Sequence, residues 1–193
     1  MDIPYRYSAS DKLFFTSDTH FCHSKIIEFA NRPFSSIHDM NETLIRNWNE
    51  TVPEDGIVFH LGDFCFGGND EWWSIIPRLN GKIILIMGNH DMRNADQDFM
   101  SCFEYVTQQI TISVDGQTII LNHNPFLCFG GSYRGVWQLF GHVHSGPRSL
   151  SNGKDDARLV YLFPTQYDVG VDNNEYKPVS FCQLKEIIKN QHK

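Results

Sequence analysis

The chain lacks the features that mark membrane-spanning, disulfide-rich or duplex-binding proteins. Its longest purely apolar runs have about five residues, such as residues 83–87, whereas a helix that spans a bilayer needs about 18 or more. The five cysteines are odd in number and include no C-x-x-C pair, which indicates reduced thiols. The net charge is −7 without a run of Lys or Arg, so no tight binding of duplex nucleic acid is expected. Residues 1–6 lack the basic and apolar regions of a signal peptide, and we expect a cytoplasmic protein.

What the chain does contain is a series of short blocks rich in metal-binding side chains. In order, these are Asp18-Thr19-His20, Gly62-Asp63, Gly88-Asn89-His90-Asp91, Asn122-His123 and Gly141-His142-Val143-His144. Imidazole, carboxylate and carboxamide donors favour divalent Mn, Fe, Co, Ni or Zn over an all-oxygen calcium site or an all-thiolate site. The blocks therefore indicate metal-assisted hydrolysis.

Each block follows an apolar run that is typical of a β-strand. The predicted strands cover residues 12–17, 57–61, 82–87, 118–121 and 136–140. In an extended segment residues i and i+2 point to the same side, so Asp18 should pair with His20 and His142 with His144. Candidate ligands thus lie just past the carboxyl ends of strands, where open α/β sheets place their ligand sites.

The rest of the pattern predicts one domain, residues 1–193, in which helices alternate with strands through the first half. Helical signals cover residues 24–30, 39–50, 70–79 and 178–188. Asp115-Gly116 predicts a hairpin turn, and two further strands are predicted over residues 159–163 and 166–171.

The order D-x-H, G-D, G-N-H-D, a lone His and G-H-x-H, from about residue 14 to residue 144, is similar to that of the calcineurin-like metallophosphoesterase superfamily. The first half of the chain resembles a small single-domain subgroup from bacteria and phages. The resemblance implies the α/β metallo-dependent phosphatase fold, a four-layer αββα sandwich of two mixed β-sheets flanked by helices. It also implies two divalent metal ions, with Mn favoured and Fe, Ni, Co and Zn as the alternatives.

The resemblance also assigns roles to individual residues. It gives the first metal to Asp18, His20 and His144, the second to Asn89, His123 and His142, and a bridging position to Asp63. The implied reaction is direct attack of a metal-bridging hydroxide on a small phosphodiester or phosphomonoester, with the diester favoured and nucleotides or cyclic nucleotides among the candidates. His90 would be the general acid, and its neighbour Asp91 would keep it protonated.

Three further residues are candidates for substrate contacts, each beside an ordinary alternative. His23 fits a pocket contact and a helix cap equally well. Arg32 and Arg93 fit phosphate contacts, although arginine commonly packs its stem over an apolar surface.

Two other functions stay open. One is a nuclease-like phosphodiesterase on single-stranded nucleic acid, which the acidic balance disfavours. The other is a non-catalytic metal-binding docking module, which would have little reason to keep His90. The expected partner is a small-molecule phosphate ester, without duplex nucleic acid or membrane, and self-association is left open.

Overall fold

The computed structural model describes residues 5–93, 100–148 and 159–191, except for the side chain of Asn69. The strands are β1 (Tyr5–Tyr7), β2 (Leu13–Thr16), β3 (Ile57–His60), β4 (Lys82–Ile86), β5 (Tyr105–Thr107), β6 (Gln109–Val114), β7 (Gln117–Asn122), β8 (Trp137–Phe140), β9 (Gln166–Asp168) and β10 (Val179–Ser180). The α-helices are α1 (Ile26–Phe29), α2 (Ile37–Thr51), α3 (Asn69–Ile75) and α4 (Phe181–Gln191).

The strands form two mixed five-stranded sheets. The first sheet has the order β10-β2-β3-β4-β5; β2 to β5 are parallel and β10 runs antiparallel to β2. The second sheet has the order β1-β6-β7-β8-β9, in which only the β6–β7 pair is antiparallel. The implied α/β architecture of two mixed sheets with flanking helices is confirmed.

Alternating side chains of the strands divide the apolar core into two parts. Phe15 of β2, Phe59 of β3 and Ile112 of β6 are fully buried in the layer between the sheets. Phe14 and Val58 point to the other face of the first sheet and pack in the cluster that contains α2 and α3. Because successive side chains of a strand point to opposite faces, the same strand contributes side chains to both parts of the core.

Two local sequence features mark where helix α2 begins and where β6 turns into β7. The Ser36 hydroxyl accepts the Asp39 N–H (3.1 Å) and begins α2. Asp115 and Gly116 have φ values of +47° and +88°, the left-handed pair that a two-residue hairpin between β6 and β7 requires. The predicted hairpin is confirmed.

Some boundaries differ from the sequence prediction. Residues 159–163 are not a strand: residue 159 is helical and residues 160–163 form a turn that leads into β9. Apolar side chains such as Leu159 and Leu162 line surface hollows instead of a sheet face. The last helix begins at Phe181, three residues after Pro178, since Val179–Ser180 first pairs with β2. None of the helices in the described ranges has the length and apolar character needed to cross a membrane.

Candidate metal centre

The candidate ligands lie together at one edge of the sandwich. Asp18, Asp63 and Asn89 follow β2, β3 and β4 of the first sheet within three residues. His123 and His142 follow the parallel neighbours β7 and β8 of the second sheet. The prediction that the ligands lie just past the carboxyl ends of strands is therefore confirmed.

Asp18, His20 and His144 form the first ligand set. One donor atom from each lies within 4.8 Å of the other two. The Oδ1 atom of Asp18 is 4.0 Å from His20 Nε2 and 3.8 Å from His144 Nε2. Burial lowers the pKa of His20 well below its usual range, which keeps this imidazole neutral and available as a ligand.

Asn89, His123 and His142 form the second ligand set, together with Asp63. Asn89 Oδ1 is 3.1 Å from His123 Nε2 and 3.0 Å from His142 Nδ1, and the two imidazole nitrogens are 3.2 Å apart. The His142 side chain is exposed, so this set borders the solvent.

Asp63 lies between the two sets. Its Oδ2 atom is 3.6 Å from His20 Nε2 of the first set and 3.5 Å from His123 Nε2 of the second. Its Oδ1 atom accepts the backbone N–H of His90 (2.9 Å), which fixes the carboxylate orientation. Oδ2 is therefore placed where it can contact two cations.

The donor atoms fit a pair of divalent cations. Ligands about 2.1 Å from one cation are separated by about 3.0–3.4 Å in octahedral or tetrahedral geometry. The second set matches this spacing at 3.0–3.2 Å, whereas Asp18 Oδ1 lies 4.0 and 3.8 Å from the nitrogens of the first set, which must move inward to share a cation. Within the described residues, Asp18 Oδ1 and His20 Nε2 are buried without a hydrogen-bond partner, which is costly unless a cation satisfies them. Nitrogen and oxygen donors suit Mn, Fe, Co, Ni or Zn.

The ligand loops reach this arrangement through left-handed backbone, not through extended strand. Asp18, His20, Asp63, His142 and His144 have φ values between +48° and +72°. Asp18 and His20 do lie in one set, as predicted, but through left-handed and not extended backbone. The predicted pairing of His142 with His144 is wrong, because these two residues belong to different sets. Such residues cost about 1–3 kcal/mol each and persist where the surroundings fix them.

Two glycines allow the loops to approach each other closely. A Cβ on Gly88 would collide with Asp63, and one on Gly141 would collide with Ser17 and Asp18. Both glycines therefore keep open the space that the ligand carboxylates occupy.

Arg32 does not have the position expected of a substrate contact. Its buried guanidinium donates to both Asp172 oxygens (2.8 Å each) and to the backbone carbonyls of Asp18 (2.6 Å) and Thr19 (2.9 Å). Because these bonds use the donors that a phosphate would need, the prediction of a substrate contact is wrong. Arg32 instead braces the first ligand loop.

Asp172 is a candidate supporting residue of the centre that sequence reasoning missed. Its Oδ2 accepts the Nδ1–H of His144 (2.8 Å), which leaves Nε2 of that ring for a metal. Although burial opposes ionisation, the Arg32 guanidinium holds the pKa of Asp172 below its usual value. Asp168 supports the same loop by accepting the N–H and hydroxyl of Ser145. An available signal was that Asp172 directly follows the strand predicted over residues 166–171, within which Asp168 lies.

His90 and Asp91 are adjacent in sequence but serve different parts of the site. His90 is part-exposed, and its Nε2 is 3.9 Å from Asp63 Oδ2. The Asp91 carboxylate is buried and accepts the backbone N–H groups of Asp63 (2.7 Å), Phe64 (3.0 Å) and Gly88 (2.8 Å). These bonds turn the Asp91 carboxylate toward the loop backbone and not toward His90. We therefore assign Asp91 to holding the ligand loops, and the prediction that it keeps His90 protonated is wrong.

His23 and Arg93 keep their place as candidate substrate contacts. The His23 ring stacks on Phe66 at 4.1 Å between centroids, and its Nδ1 is 3.3 Å from Nδ1 of His20. Arg93 is exposed in a short turn after Asp91. Neither arrangement contradicts a role in binding substrate.

Similarity to known proteins is clearest for two curated sequences. The uncharacterized protein MJ1445 of Methanocaldococcus jannaschii is 33% identical over 180 residues, covering 92% of this chain and 92% of its own. The gene 66 protein of Mycobacterium phage L5 is 30% identical over 192 residues, covering 82% of this chain and 85% of its own. No protein-family model matches the chain.

Two solved structures resemble the fold to different degrees. AQ665 of Aquifex aeolicus, a protein of unknown function, has a TM-score of 0.67 and 24% identity, covering 91% of this chain and 98% of its own. The nuclease MPE of Pseudomonas putida overlaps less, with a TM-score of 0.47, 19% identity and coverages of 70% and 62%.

The chain belongs to the family that contains MJ1445 and the gene 66 protein of phage L5. Its two mixed sheets and two candidate ligand sets agree with the fold and the metal site that the resemblance to calcineurin-like metallophosphoesterases implies.

Proposed function

We propose that the protein is a binuclear metal-dependent phosphohydrolase that acts on a small phosphodiester. The observation that carries the proposal is the position of Asp63 Oδ2, 3.6 Å from His20 Nε2 in one ligand set and 3.5 Å from His123 Nε2 in the other. Asp18, His20 and His144 would hold one cation, Asn89, His123 and His142 the other, and Asp63 would contact both. Two bound dications lower the pKa of water and neutralise charge on a phosphate.

The protein itself supplies orientation and a proton. Two carboxylates, Asp18 and Asp63, face a site for two dications, so the loaded centre has a net positive charge that attracts a phosphate ester. His90 is at the rim of this site, 3.9 Å from Asp63 Oδ2 and 29% exposed, which leaves its ring accessible to a substrate. We assign it to donating a proton to the leaving oxygen.

The first test compares bis-p-nitrophenyl phosphate with p-nitrophenyl phosphate, using protein that has been stripped by a chelator and reloaded with Mn, Ni, Co, Zn or Mg. We expect cleavage to return with a first-row transition metal and to be faster for the diester. Absence of cleavage of both esters by protein shown to contain two metal ions would contradict the proposal. A single-stranded oligonucleotide cleaved faster than the small diester would instead favour a nuclease.

The second test concerns His90. His90→Ala should keep both metal ions and lose about 10²–10⁴ in kcat, the usual contribution of a general acid. His38→Ala is the matched control, because His38 is exposed on α2, away from the ligand loops. A wild-type kcat in His90→Ala would show that the acid assignment is wrong.

A further inference from the structure

A cavity opens directly beside the second ligand set. It has a volume of about 390 Å³ and is lined by Asn124, Pro125, Leu127, His142, Val143, Leu159, Tyr161 and Leu162. His142 belongs both to this cavity and to the second ligand set. The cavity, which we call the His142 pocket, therefore borders the candidate metal centre at His142. Its volume lies in the range of small-molecule sites.

The lining of the His142 pocket suits a flat apolar group with a polar edge. Leu127 and Tyr161 are 69% and 71% exposed, so large apolar surfaces face the opening without being covered by other described side chains. Asn124 and Tyr161 are also lining residues, so the pocket includes residues with a carboxamide and a phenol group. An aromatic ring can stack on such side chains while its polar edge forms hydrogen bonds.

Two buried glutamines hold one wall of the pocket, the loop that begins at Asn124. The buried Gln138 side chain donates to the Asn124 carbonyl (3.0 Å) and accepts the N–H of Phe126 (3.3 Å). Gln166, also buried, donates to Gln138 Oε1 (2.6 Å) and to the Phe126 carbonyl (2.9 Å). The two glutamines therefore hold the backbone of residues 124–126, so this wall of the pocket is positioned before a ligand arrives.

The position of the pocket relative to His90 indicates which half of a diester it holds. His90 has ring contacts with His20, His23 and Phe66, on the side of the first ligand set. The pocket begins at His142 of the second set. Because the general acid must lie beside the leaving group, the group on the His142 side is the one that stays attached to phosphorus.

We infer that the His142 pocket binds a planar aromatic group, such as a nucleobase or an aryl ring, on the retained half of the phosphodiester substrate. This inference rests on the proposed function and names its substrate class. It makes the protein selective for diesters whose retained group is aromatic over diesters whose retained group is a short alkyl chain.

The test uses phenyl p-nitrophenyl phosphate and methyl p-nitrophenyl phosphate, which share the leaving group and differ in the retained group. For the metal-loaded wild type we expect kcat/KM to be about tenfold or more higher for the phenyl ester, a typical effect of filling an apolar pocket. Tyr161→Ala should reduce this ratio to about threefold or less. The matched control is Tyr133→Ala, which removes a 91% exposed tyrosine that lines a different hollow, and it should leave the ratio unchanged.

Binding of non-hydrolysable ligands gives a second readout that does not depend on turnover. Calorimetric titration of the metal-loaded protein should give a lower Kd for phenylphosphonate than for methylphosphonate, with the difference lost in Tyr161→Ala. Equal ratios in wild type and Tyr161→Ala, or equal Kd values for the two phosphonates, would overturn the inference. Cleavage of both esters at the same rate would overturn it while leaving the phosphodiesterase standing, whereas cleavage of neither would overturn the proposed function.

Discussion

His144 in the first ligand set and His123 in the second both place Nδ1 against an oxygen, but the two oxygens differ in charge. The partner of His144 is the Asp172 carboxylate (2.8 Å), itself paired with Arg32. The partner of His123 is the neutral backbone carbonyl of Leu61 (2.7 Å). A carboxylate raises the basicity of a ligating imidazole more than a carbonyl does, so we expect the first set to bind its metal more tightly.

The two sets also differ in exposure. Asp18 and His20 are buried, whereas His142 is exposed and forms part of the His142 pocket. A buried, ion-paired set is suited to a resident metal, and an exposed set beside a pocket is suited to a metal that contacts the substrate. The comparison indicates that the fold assigns different tasks to two chemically similar sets of ligands.

The largest effect is expected from changing Asp63, the residue that the two sets share. Asp63→Asn should abolish binding of both metals and with it turnover, because the shared Oδ2 loses its charge while His20 and His123 stay in place. Metal content measured by plasma mass spectrometry should fall from two ions to none. The control is Asp70→Asn, an exposed change on α3, which should keep both metal ions. Retention of two ions in Asp63→Asn would show that Asp63 is not shared by the two metals.

The next largest effect should separate the two sets. Asp172→Asn removes the negative charge that contacts His144 Nδ1 and leaves the buried Arg32 guanidinium without its carboxylate partner. We expect the first metal to bind about 10–100-fold more weakly and the metal-free protein to lose roughly 3–5 kcal/mol of unfolding free energy. Competition with a chelator and urea unfolding measure these two effects.

The second metal should be held as before in Asp172→Asn, because His123 and His142 have no contact with Asp172 among the described hydrogen bonds and ion pairs. Equal weakening of both metals in this variant would mean that the sets are not supported separately.

The smallest change per step, about tenfold for each pH unit, should appear in the pH dependence of metal binding by the second set. Burial opposes protonation of His123, but hydrogen bonding to Asp63 and the negative charges of Asp18 and Asp63 raise its pKa to about 9 in the metal-free protein. Because this pKa lies above neutral pH, the metal must displace a proton, and affinity should fall by about tenfold per pH unit from pH 8 to pH 6. Calorimetry in buffers of different ionisation enthalpy should report about one proton released from His123.

His142 should release no proton in the same titration, because the partial desolvation of its ring and the neighbouring His123 lower its pKa although the side chain reaches solvent. Its imidazole is therefore already neutral at pH 7. An affinity of the second set that does not change between pH 6 and pH 8 would show that His123 is not a ligand.

Much of the fold could be predicted because its signals are local. The strands β2, β3, β4, β7 and β8 were found from runs of apolar residues, and the β6–β7 hairpin from Asp115-Gly116. The short strands β1, β5 and β10 were missed because two or three residues are too few to show a period. Residues 159–163 were wrongly predicted as a strand, since an apolar run looks the same whether it faces a core or a surface hollow.

Sequence patterns alone are enough to name the residue types at the candidate centre, because each candidate ligand lies within four residues after a strand. The division of these residues into two sets, and the contacts that support them, depend on tertiary packing. Arg32 and Asp172 are 140 residues apart, and no local pattern connects them. Likewise, three backbone N–H groups orient Asp91, and the His142 pocket is formed by loops that follow different strands. Contacts of this kind depend on packing, whereas a sequence pattern reports only the period of a single element.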